Sequence, residues 1–129
     1  MYTYWRRMAL HPSLELLDAP ARENCVVQRA TANVPTQALV LMNDPIFHEA
    51  ATVFASRLIR EVNAGDVKRI EHAFRLALGR SPDNTERDRF MDFIVNKRRP
   101  SGAATLSDHA AWTLVCSVLL NLDETITRP

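Results

Sequence analysis

Glycine is scarce in this chain, with three among 129 residues. No P-loop, GxSxG turn or glycine-rich dinucleotide fingerprint is present, since each needs glycines at fixed spacing. The same scarcity argues against a fold built from many tight β-turns. Cysteine is almost absent too. Cys25 and Cys116 stand far apart with no CxxC or CxxCH around either, which excludes haem attachment and a zinc site of several Cys ligands within the chain. Cys116 lies in the apolar run Trp112–Leu120 and reads as a buried, inert thiol. A Cys25–Cys116 disulfide stays open, because sequence does not set their separation. No cofactor is expected in this chain.

An excess of one charge is missing as well. Sixteen basic and 15 acidic side chains leave a net charge of +1, which generates no field to gather phosphate backbones or anionic lipid. Nucleic acid is therefore not an expected partner. The densest basic run, Lys97-Arg98-Arg99, precedes Pro100 and reads as a solvated helix end facing the negative pole of its dipole. Residues 1–10 hold no apolar stretch of signal-peptide type. The longest nearly apolar segment, Ala110–Leu122, falls short of the roughly 20 residues a bilayer span needs, so no membrane insertion is expected.

The four histidines, His11, His48, His72 and His109, form neither HxH nor HExxH and read as surface or helix-face imidazoles. Asp44, Glu49, Asp123 and Glu124 could pair as general acid and base across helices, but caps and surface charges explain them more simply.

What the chain does have is helical periodicity. Residues 1–34 read as an irregular lead-in punctuated by Pro12, Pro20, Asn24 and Asn33, with one helical turn at Leu14–Leu17. Such long irregular segments tend to be functional. From Pro35 to Met42 a short helix starts on proline at its first position. Asn43-Asp44-Pro45 opens the next, over about 45–62, with Phe47, Ala51, Phe54, Leu58 and Val62 inward and Glu49, Thr52, Ser56 and Arg60 outward. Asn63-Ala-Gly65 breaks it. Val67, Ile70, Phe74 and Ala77 line a helix over about 66–78, closed by Gly79. Asp83 and Glu86 form a capping box for a helix over about 84–98, with Phe90, Phe93 and Ile94 inward. Ser107 or Asp108 caps the last, over about 109–121, which is apolar almost all round and so should be central and buried. The fold class is all-α: a small orthogonal bundle of four to five helices behind an irregular N-terminal segment, one module over residues 1–129 with its helical core at 35–122.

The densest set of directional hydrogen-bonding groups is Arg29, Asn33, Gln37, Asn43 and Asp44. These side chains either tie down the irregular segment or form a ligand or partner site, because ordered loops often carry function.

Several strings occur together and in order: Tyr2-Thr-Tyr-Trp-Arg-Arg7, Leu17-Asp-Ala-Pro-Ala-Arg-Glu-Asn-Cys25, Arg29-Ala-Thr-Ala-Asn-Val-Pro-Thr-Gln-Ala-Leu39, Leu41-Met-Asn-Asp-Pro45, Leu76-Ala-Leu-Gly-Arg80, and Trp112 through Glu124. Over nearly the whole chain they resemble the C-terminal part of the planctomycete-specific domain of unknown function. That domain is found in large exported bacterial proteins, often with a planctomycete-type cytochrome c domain. The resemblance implies that this chain is the C-terminal fragment of a larger domain, and that the parent is exported although no signal peptide is seen here. Any haem would then belong to another domain. It assigns no catalytic residue. Ala32-Asn33-Val34-Pro35 stands where relatives often have Thr-Asn-Thr-Pro, and the connection at 100–107 is short.

The expected function is that of a structural or interaction module within a larger protein. Its partner would be the missing N-terminal portion, another protein, or a second copy in a homo-oligomer. The alternative is one wall of an active or ligand-binding site shared with that portion. A helix-turn-helix nucleic-acid binder is the remaining class, and the near-zero net charge counts against it.

Overall fold

The computed structural model describes residues 10–20, 27, 34–99 and 106–126. Among them are seven helices and no strand, so the protein is all-α. It divides into two compact units, Met1–Leu41 and Met42–Pro129.

In the first unit, helix α1 (Pro12–Leu16) starts on proline after His11. It ends near Asp18, whose φ of 56° puts it in the left-handed region that asparagine and aspartate tolerate best among non-glycine residues. Helix α2 (Pro35–Asn43) buries Gln37 and Leu41. The Gln37 side-chain amide donates to the Asp18 carboxylate at 2.8 Å, linking α2 to the residue that turns the chain out of α1.

The second unit holds helices α3 (Pro45–Glu61), α4 (Asp66–Leu78), α5 (Asn84–Arg98), α6 (Asp108–Leu120) and a short α7 (Asp123–Ile126). Their starts follow the capping signals in the sequence. Asp44 accepts from the Ile46 N–H at 2.9 Å. Asp83 and Glu86 form the reciprocal capping box, with bonds of 2.6 and 2.8 Å. Ser107 accepts from the Ala110 N–H at 3.2 Å. Each cap satisfies a backbone donor that the first helical turn cannot. Gly79 closes α4 with φ 76°, its N–H bonded to the Arg75 carbonyl. A side chain there would be strained whatever the space around it.

Helix α6 packs on α3, α4, α5 and α7, most extensively on α3. The core runs through Ala51, Ala55 and Leu58 of α3, Ile70, Ala73 and Phe74 of α4, Ile94 of α5, and Trp112, Val115, Cys116 and Leu119 of α6. The alanines on α3 let its backbone approach the bulky α6. Phe90 meets Phe74 edge-on, with ring centroids 5.3 Å apart, an arrangement favoured by the ring quadrupoles. The Cys116 thiol is free and buried, and desolvation pushes its pKa up to about 12, as an inert thiol requires. Cys25 lies outside the described residues.

Three expectations need correction. Val67 faces out, 41% exposed, and Ala73 takes its place in the core, because the first turn of α4 makes its contacts through Asp66 and Arg69. Ala55 is the core residue of α3 that the pattern omitted, while Phe54 packs only partly buried against the core. Helix α6 is central but not covered all round: Leu114 and Val118 are 36% and 39% exposed, since its neighbours leave one strip open. Helix α7 was not anticipated at all.

Trp112 is the largest fully buried side chain. Trp112→Ala is expected to cost about 3–5 kcal/mol, read by urea unfolding. A loss under about 1 kcal/mol would contradict the central position of α6.

Candidate functional site

Of the five polar residues singled out in the sequence, Arg29 and Asn33 lie outside the described residues. Gln37 is buried on α2 and holds Asp18. Asn43 is the exposed last residue of α2, and Asp44 caps α3. Gln37 thus serves the first unit and Asp44 the start of the second.

The best-connected polar cluster lies elsewhere, on the basic run that read as a solvated helix end. That reading is corrected for Arg98, because its guanidinium reaches back to two carboxylates at helix starts. It forms a two-pronged ion pair with Asp66 at the start of α4 and a further bond to Asp108 at the start of α6. Arg69, whose side chain is only 11% exposed, sits within 3.5 Å of Asp66 and 3.7 Å of Asp108. It also donates to the Val62 carbonyl at the end of α3 and lies over the Trp112 ring, 5.1 Å from its centroid. The hydrogen bond from Arg98 holds the Asp66 carboxyl below its ordinary range against the opposing effect of desolvation, and Arg69 and the Trp112 indole add to the lowering. That indole N–H is buried and meets no acceptor within strict hydrogen-bond geometry. Its approach to Asp66 is therefore a loose one that adds field more than a formed bond.

A second cluster centres on Arg80, beyond the end of α4. It donates to Glu86 on α5 and Glu124 on α7, with bonds of 2.7 Å to each, and covers the Phe74 ring at 5.6 Å. Bonds from Arg80 chiefly, with help from the Asp83 N–H, hold Glu86 at a pKa of about 2. The tie between Glu124 and Arg80 agrees with reading the carboxylates as caps and surface charges. Both clusters join helix ends within one unit, and each charge in them already has a protein partner. That is structural chemistry.

Two histidines bridge helices. His72 meets Glu61 at 2.9 Å, and the hydrogen bond lowers the Glu61 pKa. His109 on α6 meets the Ser56 hydroxyl on α3 at 2.8 Å. Ser56 also donates to the Thr52 carbonyl at 3.0 Å. Among the described residues no group of three His, Cys, Asp or Glu side chains is placed to hold a metal, and no helix is long and apolar enough to cross a membrane.

Among the described residues a groove of about 360 Å³ opens between α5 and the end of α6, lined by Glu86, Arg89, Phe90, Phe93, Val118 and Leu122. Phe90, Phe93 and Leu122 are partly buried against the core, while Val118 is exposed. Sequence reasoning counted all of α6 as core and so missed it. The available signal was Leu114, Val118 and Leu122 at spacings of four, one strip too many on a helix that cannot be covered on every side.

The family model described as "PSD1: Protein of unknown function (DUF1553)" matches residues 1–94 of the chain. The match takes in α1 to α4 and most of α5, and all the quoted strings except the one from Trp112 to Glu124. No curated protein and no solved structure matches.

Two predictions follow from the clusters. Arg98→Met keeps the apolar stem but leaves Asp66 without its main partner. Discounted for partial exposure, stability should fall by about 1–2 kcal/mol, whereas Arg99→Met on the exposed neighbour should change it by less than about 0.5 kcal/mol. Chemical denaturation of both variants compares them directly. Glu86 has a folded pKa of about 2 against an ordinary 4.5, so its stabilisation is fully present above the ordinary value and is lost as pH falls from 4.5 toward 2. Unfolding curves between pH 6 and 2 should therefore show a steep acid loss of stability that is shallower in Glu86→Gln.

Proposed function

The chain belongs to the PSD1 family of proteins of unknown function (DUF1553), and we propose that it acts by contact with another molecule. It is a structural or interaction module whose docking face is the α5–α6 groove. The observation that carries this reading is the set of Phe90, Phe93, Val118 and Leu122, which forms an apolar floor open to solvent. An apolar strip left open on an otherwise buried helix is what a module separated from its neighbour would display. The charged clusters favour the same reading, since their polar groups are consumed in holding the helices together. The sequence resemblance would make the parent a larger, exported bacterial protein, with any cofactor held by another of its segments.

The other reading, one wall of a ligand site at Arg29, Asn33, Gln37, Asn43 and Asp44, has less support. Gln37 and Asp44 have structural tasks that account for them.

A dye whose fluorescence rises on apolar surface tests the groove. The folded chain should bind it, and Val118→Glu should abolish binding while shifting the melting temperature by less than about 2 °C, as expected of a substitution at an exposed site. Absence of dye binding to the folded wild-type chain, or a collapse of stability in Val118→Glu, would remove the groove as a docking face.

A further inference from the structure

A second apolar feature lies on the outward side of α3. Ile46 and Val53 are 57% and 61% exposed, and Ala50 between them is exposed too. At positions i, i+4 and i+7 they share one stripe. Glu49 flanks that stripe, exposed, and makes no hydrogen bond or ion pair among the described residues. Across the unit, the α5–α6 groove has the converse arrangement. Arg89 at its rim is exposed and likewise unpaired, while the other rim charge, Glu86, is engaged by Arg80 and the Asp83 N–H.

The two features also match in length. The α5 side of the groove uses Glu86, Arg89, Phe90 and Phe93, and the stripe uses Ile46, Glu49, Ala50 and Val53. Both follow the spacing i, i+3, i+4, i+7, a span of about 10.5 Å at 1.5 Å per residue. Each carries its unpaired charge at the second of those positions. Laid parallel, Glu49 falls opposite Arg89, Ala50 opposite Phe90 and Val53 opposite Phe93.

Resting on the groove reading above, we propose that the groove's occupant is a second copy of this chain. The α3 stripe of one copy docks in the α5–α6 groove of the next, with Glu49 paired to Arg89. The contact is heterologous, because stripe and groove are different surfaces, so the copies add head to tail. An unpaired charge at each surface selects the register, since a stripe shifted by one turn separates the pair or brings Glu49 toward Glu86.

Sedimentation of the full chain over a range of concentrations tests this. Wild-type protein should self-associate as concentration rises, and more weakly in high salt. Glu49→Arg and Arg89→Glu should each weaken association about tenfold, and the double charge swap should restore it. Val118→Glu should abolish association in every background. A wild type that stays monomeric overturns the proposal, as does a double variant no better than the singles. If the chain is monomeric yet binds the apolar dye through Val118, the self-docking inference fails and the groove survives. If dye binding fails as well, both fall.

Discussion

Burying Trp112 constrains everything around it. An indole with no exposed surface takes a polar N–H into the core, where an unpaired donor is costly. Here the N–H faces a carboxylate, Asp66, close to it but not bonded well. A carboxylate next to a core is itself expensive unless its charge is matched. Arg98 supplies the match and Arg69 adds to it while covering the indole ring. Asp108 then accepts from Arg98 and lies near Arg69. One buried ring therefore explains why four charged residues, from three helices, converge. The placement is consistent with helix electrostatics, because both carboxylates stand at helix N-termini and Arg98 at a C-terminus.

The same principle separates this chain's charges into two groups. Those at helix ends are spent inside the fold: Arg98 and Arg69 around Trp112, Arg80 between Glu86 and Glu124, Glu61 between Arg57 and His72. A near-neutral composition accompanies such pairing. Glu49 and Arg89 differ from these, because they make no hydrogen bond or ion pair among the described residues and stand beside apolar side chains.

The helices themselves were legible because their signals are local. Pro45 after Asp44, the Asp83–Glu86 box, Gly79 and Ser107 act within a few residues of the boundaries they set. The inward faces were legible only where a stripe meets a neighbour in mid-helix, as at Ile70 and Phe74. At Val67, in a first turn occupied by ion pairs, periodicity pointed the wrong way. The long-range features were not legible at all. Arg98 lies 32 residues from Asp66 and Arg80 44 from Glu124, and nothing in a run of basic residues says which one will turn inward. The groove escaped notice for a related reason. Apolar content predicts burial, but only packing decides which strip of an all-apolar helix has no neighbour left to bury it.

The family match ends at residue 94, whereas the physical unit does not. Ala51, Ala55 and Leu58 on α3, Ile70 and Phe74 on α4, and Ile94 on α5 are fully buried, and α6 packs against all three of those helices. A chain ending at 94 would expose much of that surface at about 25 cal/mol per Å². It would also leave Asp66 without Arg98. The matched stretch therefore carries the start of the fold's logic, and the segment from Asp108 to Leu120 completes it. The same helix that closes the core leaves Leu114 and Val118 exposed on a strip that its described neighbours do not cover.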